Sequence, residues 1–129
     1  VKEVGYYDLK PTEAGIASGY FTPQSMPVYH WHREGIKLPC GVETLASSEY
    51  YPNQAFNITD QAFGTQFHPE ITDGMIRLWS AHAPADRDKE PGAQPRETHL
   101  GGYFQHQARV QDWACQMLDK LGFTALPQA

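Results

Sequence analysis

A chain of 129 residues, 40% apolar and 12% aromatic, carries enough burial to offset the ordering entropy of one packed domain or part of one, and is short for two. A formal charge of -5 with no run of Lys or Arg offers no electrostatic attraction to nucleic acid or to an anionic membrane surface, and no stretch approaches the roughly 18 apolar residues of a membrane span. Cys40 and Cys115 stand far apart without a CxxC pair, which fits neither a disulfide-stapled secreted module nor a zinc ribbon, so a reducing cytoplasm is expected.

The opening Val1-Lys2-Glu3-Val4-Gly5 has neither the basic start nor the apolar run of a signal peptide, and the absence of an initiator Met at Val1 suggests a piece of a longer product. Val1 to Leu9 reads as a strand, since Val4, Tyr6 and Tyr7 favour extended backbone and Pro11 disfavours helix at Lys10. Thr12-Glu13-Ala14 opens a short helical turn bracketed by Gly15 and Gly19, and Pro23 to Pro27 reads as loop. Short strand-like runs at Val28 to Trp31, Val42 to Ser47, Ala55 to Thr59 and Ala62 to Phe67, separated by turn clusters, suggest a β-meander. Thr72 caps a helix through Ala81 with Met75, Ile76 and Trp79 on one face. Pro84 to Thr98 is rich in Pro, Gly and charge and is expected to be a mobile loop, so residues 83–100 are set apart as flexible. Phe104, Ala108, Trp113, Met117 and Leu121 recur at helical spacing ahead of Gly122, a C-cap residue. No internal repeat is visible, and strands followed by two helices lack the alternation that builds a complete parallel sheet.

The stretch Gly64-Thr65-Gln66-Phe67-His68-Pro69-Glu70 carries the chemistry. In extended backbone, positions two apart share a side, and Pro69 between the imidazole and the carboxylate has a fixed φ and no N–H. A carboxylate on one imidazole nitrogen fixes the tautomer and leaves the other nitrogen as a general base, the orienting logic of a triad that still needs a nucleophile.

Gln66-Phe67-His68-Pro69-Glu70 resembles the signature in which class I glutamine amidotransferases place their catalytic His and Glu. His32-Arg33-Glu34, Leu38-Pro39, Gly41, Leu45-Ala46-Ser47 and Asn53-Gln54-Ala55-Phe56 fall in step with that family, and Glu3-Val4-Gly5-Tyr6-Tyr7 is similar to a strand of domains related to the GMP synthase glutaminase. The resemblance covers roughly residues 1 to 82. It implies an α/β fold of the flavodoxin-like, three-layer kind, present here as the C-terminal portion of a single domain over residues 1–129, with a β-meander and two helices but most of the parallel sheet missing. It implies glutamine as substrate, hydrolysed at its side-chain amide through a thioester, with His68 the base and Glu70 its orienting acid, and ammonia passed to an acceptor.

The family nucleophile is a Cys in a Gly-x-Cys-x-Gly elbow, and no such elbow is present; the glycine-rich loop of the oxyanion hole is absent too. Cys40 sits in a meander turn, and Cys115 lies in an amphipathic helix, where a buried thiol acts as a small apolar residue. The chain alone is therefore expected to be inactive, with a missing N-terminal half or a synthase domain as partner and homo-oligomer formation open. The alternatives are a non-catalytic remnant that binds a partner through its uncovered apolar face, and a hydrolase of γ-glutamyl peptides. No cofactor and no metal are expected. The rival chemistry is a metal held by His30 and His32, completed by His68 or Glu70. His82, His99 and His106 are read as surface residues, and Tyr6, Tyr7, Tyr50 and Tyr51 as packing rather than a ligand-stacking surface.

Overall fold

The computed structural model describes residues 1–123. Five strands, β1 (Glu3–Pro11), β2 (Met26–His32), β3 (Thr44–Ser47), β4 (Ala55–Thr59) and β5 (Ala62–Thr65), form one antiparallel sheet in the order β2-β1-β3-β4-β5. Three α-helices accompany it: α1 (Glu13–Ala17), α2 (Asp73–His82) and α3 (Arg96–Lys120). The expected α/β class is what the chain adopts.

The expected meander holds only for β3, β4 and β5. β1 lies between β2 and β3, because it pairs with β2 from Glu3 to Leu9 and then changes partner to β3 at Lys10 and Pro11. The strand therefore runs two residues past Leu9, and Pro11 sits at its last position, where a missing N–H costs least. β2 likewise begins two residues early, passing through Pro27 opposite Asp8.

Two apolar clusters form the core. Leu9, Phe21, Met26, Val28, Leu45, Ala46, Ala55, Phe67 and Val110 make the first, and Tyr6, Tyr29, Ile71 and Ile76 the second. Strand alternation divides them: Met26 and Val28 of β2 enter one cluster while Tyr29 enters the other and Trp31 packs against it. The tyrosines pack as expected, Tyr6 meeting Tyr29 edge-on at 5.2 Å and Tyr7 meeting Tyr50 at 6.0 Å.

Helix α2 begins where its cap predicts, with the Thr72 hydroxyl accepting from Met75 N at 3.1 Å. Helix α1 is capped in the same way by Thr12, but it includes Gly15 rather than stopping before it.

The largest departure from the sequence reading lies between Pro84 and Thr98, where we expected irregular chain. Arg87–Lys89 form a 3-10 turn, and α3 starts at Arg96, eight residues before Phe104. Residues 91–94 run alongside β1 as a short parallel segment: Val4 N donates to Gly92 O at 3.0 Å, Gln94 N donates to Val4 O at 2.8 Å, and Val4 bridges Ala93. The Gln94 amide then continues the ladder with its side chain, accepting from Tyr6 N at 2.9 Å and donating to Tyr6 O at 2.6 Å. Polar composition suggested solvation, yet these groups satisfy the open edge of β1.

Gly92 is required there. Its φ is +84°, and an added Cβ would lie 1.6 Å from the carbonyl oxygen of Lys2. Gly92→Ala is expected to cost at least about 1–3 kcal/mol, read as a lower denaturant midpoint, because both the backbone well and the close approach resist a side chain. A variant as stable as the parent would contradict this pairing.

His99 is fully buried, not a surface residue. Its Nδ1 stands 3.0 Å from the Tyr29 hydroxyl and its Nε2 3.1 Å from Gln94 O, a pattern that suits the neutral tautomer with Nε2–H donating and Nδ1 accepting. Burial is the main cause that holds its pKa below the ordinary 6.5, with Arg87 and Arg96 acting in the same direction. The unfolded chain thus binds a proton before the folded one does, so this group's contribution is complete above about pH 6.5 and declines as pH falls below it. Melting temperatures between about pH 7.5 and 5 should show that decline, and His99→Gln, though less stable overall, should show less of it.

Candidate active site

Strand β5 ends at Thr65, so His68 and Glu70 leave the chain from a turn, not from the strand end that the sequence suggested. The pair is nonetheless closed: His68 Nδ1 and Glu70 Oε1 are 2.8 Å apart. Since a carboxylate only accepts, Nδ1 carries the proton toward Glu70 and the neutral tautomer leaves Nε2 with its lone pair. Among the described residues Nε2 has no hydrogen-bond partner.

Several elements hold this turn. Phe67 is buried in the first cluster, and His68 N donates to Tyr29 O of β2 at 2.9 Å. Gln107 of α3, itself buried, donates to Pro69 O at 2.9 Å while accepting from the Tyr6 hydroxyl at 2.9 Å. The His68 ring rests edge-on against Trp79 of α2, with centroids 5.1 Å apart. Backbone and ring are thereby fixed from the sheet and from both long helices, which is the precondition for a positioned base.

His68 lines an open cleft of about 540 Å³ with Trp31, Trp79, His82 and Arg87. Arg87 is 3% exposed, lies 4.4 Å over the Trp31 ring and pairs through one nitrogen with Asp88 at 2.8 Å. Sequence reading missed these walls, since Arg87 falls in the stretch expected to be loop. Cys40 and Cys115 are both exposed, free thiols and neither lines the cleft; Cys115 is on the solvent face of α3, which corrects the expectation of burial.

A second polar cluster lies behind this turn. The His30 and His32 side chains face Glu3, which sits opposite His32 in the β1–β2 register, so Glu3 and not His68 or Glu70 completes the His-x-His pair. Glu3 Oε2 is 3.4 Å from His30 Nδ1 and 3.1 Å from His32 Nε2. Burial pushes the Glu3 carboxyl up, but its side-chain contacts with His32 and Ser48, together with the nearby imidazoles, outweigh it, and the group lies below the usual carboxylate range. Burial pushes the His30 imidazole down to about 4, against the opposing pull of Glu3.

Comparison with known proteins decides the family. The model of glutamine amidotransferase class-I matches residues 9–76, a little over half of the chain. The chain belongs to the class-I glutamine amidotransferases. Solved structures agree on the fold of this amidotransferase chain. It superposes on SMU.1228c with a TM-score of 0.83 at 25% identity, covering 95% of this chain and 53% of that one. A glutamine amido transferase from Methylobacillus flagellatus gives 0.83 at 21% identity over 98% and 55%, and a glutamine amidotransferase from Thermotoga maritima 0.71 at 21% over 95% and 52%. At 21% identity the latter two speak for the fold alone. The chain spans about half the length of these structures. No curated protein matches its sequence.

Among the described residues no helix of this amidotransferase chain is long and apolar enough to cross a membrane.

Proposed function

We propose that this chain is the C-terminal portion of a glutaminase domain, and that His68 and Glu70 are the base and orienting acid of a Cys-His-Glu triad whose nucleophile lies in an N-terminal half. The closed His68–Glu70 pair at 2.8 Å, with Nε2 lining a cleft, carries the reading. The half-length coverage of the solved structures supports the existence of another half.

In this mechanism Nε2 of His68 takes the proton from the nucleophilic thiol, and the thiolate attacks the amide carbon of the glutamine side chain. The C–N bond breaks as His68 returns the proton to the leaving ammonia, leaving a thioester. His68 next takes a proton from water, whose oxygen attacks the thioester carbon, and returns it to the sulfur as glutamate departs. Glu70 holds the Nδ1 proton throughout and stabilises the imidazolium at each turn. Ammonia goes to an acceptor on a synthase partner, and the free thiols suit a reducing cytoplasm.

The test is ammonia release from glutamine, with the purified chain alone and then mixed with, or joined to, the N-terminal half of a related amidotransferase. Activity only in the combination supports the split site. Activity of the chain alone would place the nucleophile within it, and silence in both would leave a role in binding a partner.

A further inference from the structure

Behind the turn that carries His68, Glu3, His30 and His32 bring three ligand atoms within 4.8 Å of one another. His32 Nδ1 lies 3.2 Å from the carbonyl oxygen of Glu34, an acceptor, so Nδ1 must carry a hydrogen. In the neutral imidazole this strips Nε2, which nevertheless faces Glu3 Oε2 at 3.1 Å and His30 Nδ1 at 3.3 Å. The same carboxylate oxygen already accepts from Gln54 Nε2 at 2.9 Å, and its partner Oε1 accepts from the Ser48 hydroxyl at 2.6 Å. With His30 in the tautomer that carries its hydrogen on Nε2, a buried nitrogen without a partner among the described residues, Oε2, Nδ1 and Nε2 turn lone pairs to one another within the reach of a single cation.

We propose that Glu3, His30 and His32 bind a divalent first-row transition ion of the zinc type, through Oε2, Nδ1 and Nε2 respectively. The three edges of the triangle are 3.1, 3.3 and 3.4 Å. A tetrahedral ion with bonds of about 2.0–2.1 Å holds its ligands roughly 3.3–3.4 Å apart, so the donors already stand at the spacing of one tetrahedral face. Two neutral imidazoles and one carboxylate form a donor set of net negative charge suited to a dication. The outer contacts are those that metal-ligating groups need. Glu34 O fixes the His32 tautomer, while Ser48 and Gln54 hold the carboxylate. Glu3 and His30 side chains are 0% exposed and that of His32 is 11%, so the fourth position falls to water on the His32 side, beside the Tyr51 ring. An ion there ties the start of β1 to the last residues of β2, and His30 neighbours Phe67, the residue before His68.

Cobalt titration of the full chain provides the test. Wild type should develop the visible bands of tetrahedral cobalt at one ion per chain, which zinc displaces, and zinc should raise its melting temperature. His32→Gln, at the partly exposed corner and with folding checked by circular dichroism, should weaken binding by more than about 100-fold, and Ser48→Ala by about 10-fold. Cys40→Ser with Cys115→Ser, and His82→Gln, should leave the bands intact. No tetrahedral band in wild type, or a band that survives His32→Gln, would overturn the site.

Discussion

In the combined domain, His68→Ala should lower ammonia release from glutamine by about 10²–10⁴-fold with little change in melting temperature. The side chain is 28% exposed and sits at a turn, so its removal opens no core cavity, whereas the thiol loses its only proposed proton acceptor. The loss should fall on kcat and on kcat/KM together, because the base acts in bond-making steps and not in holding the ground state. Glu70→Gln separates orientation from proton transfer. An amide can donate to Nδ1 and favour the tautomer that carries its hydrogen on Nε2, which cannot act as base. Its loss should be smaller than that of His68→Ala, since Glu70 is 57% exposed and solvent already weakens the pair. Retention of more than about a tenth of the activity by His68→Ala would remove His68 from the base role, since general-base contributions are rarely so small.

What could be read from the chain depended on how far apart the interacting residues lie. His68, Pro69 and Glu70 are adjacent, Thr72 caps its own helix, and the apolar period of α2 is local, so each was legible. The cluster of Glu3, His30 and His32 depends on the antiparallel register of two strands joined by 14 intervening residues, and a His-x-His pair alone does not say which carboxylate faces it. The start of α3 was hidden by Gly101-Gly102, a pair that ordinarily breaks helices. Here a Cβ at Gly102 would lie 2.5 Å from the Tyr6 ring, so the glycine is what lets α3 approach β1 closely. Residues 84–98 misled for a different reason: composition cannot distinguish a polar side chain in water from one that completes a ladder, as Gln94 does, or an ion pair, as Arg96 and Asp88 do at 3.1 Å.

Leu9→Ala should destabilise the fold by about 2–5 kcal/mol, a large share of the roughly 5–15 kcal/mol that holds a domain together. Leu9 is fully buried, pairs across the sheet with Met26 and lies in a cluster with Val28, Leu45, Phe67 and Val110, which come from other strands, the turn before His68 and α3. A cavity there cannot collapse without moving several elements at once, which places the cost toward the upper end of that range. Urea denaturation should show a lower midpoint at an unchanged slope, while Phe104→Ala, at a side chain 70% exposed, should shift by less than about 0.5 kcal/mol. A Leu9→Ala cost below about 1 kcal/mol would mean that the sheet and α3 do not meet at this point. The same substitution reaches the chemistry indirectly, because Phe67 anchors the turn that presents His68. A shift of a fraction of an ångström in Phe67 would be felt at Nε2, so Leu9→Ala should lower activity in the combined domain even at temperatures where it remains folded.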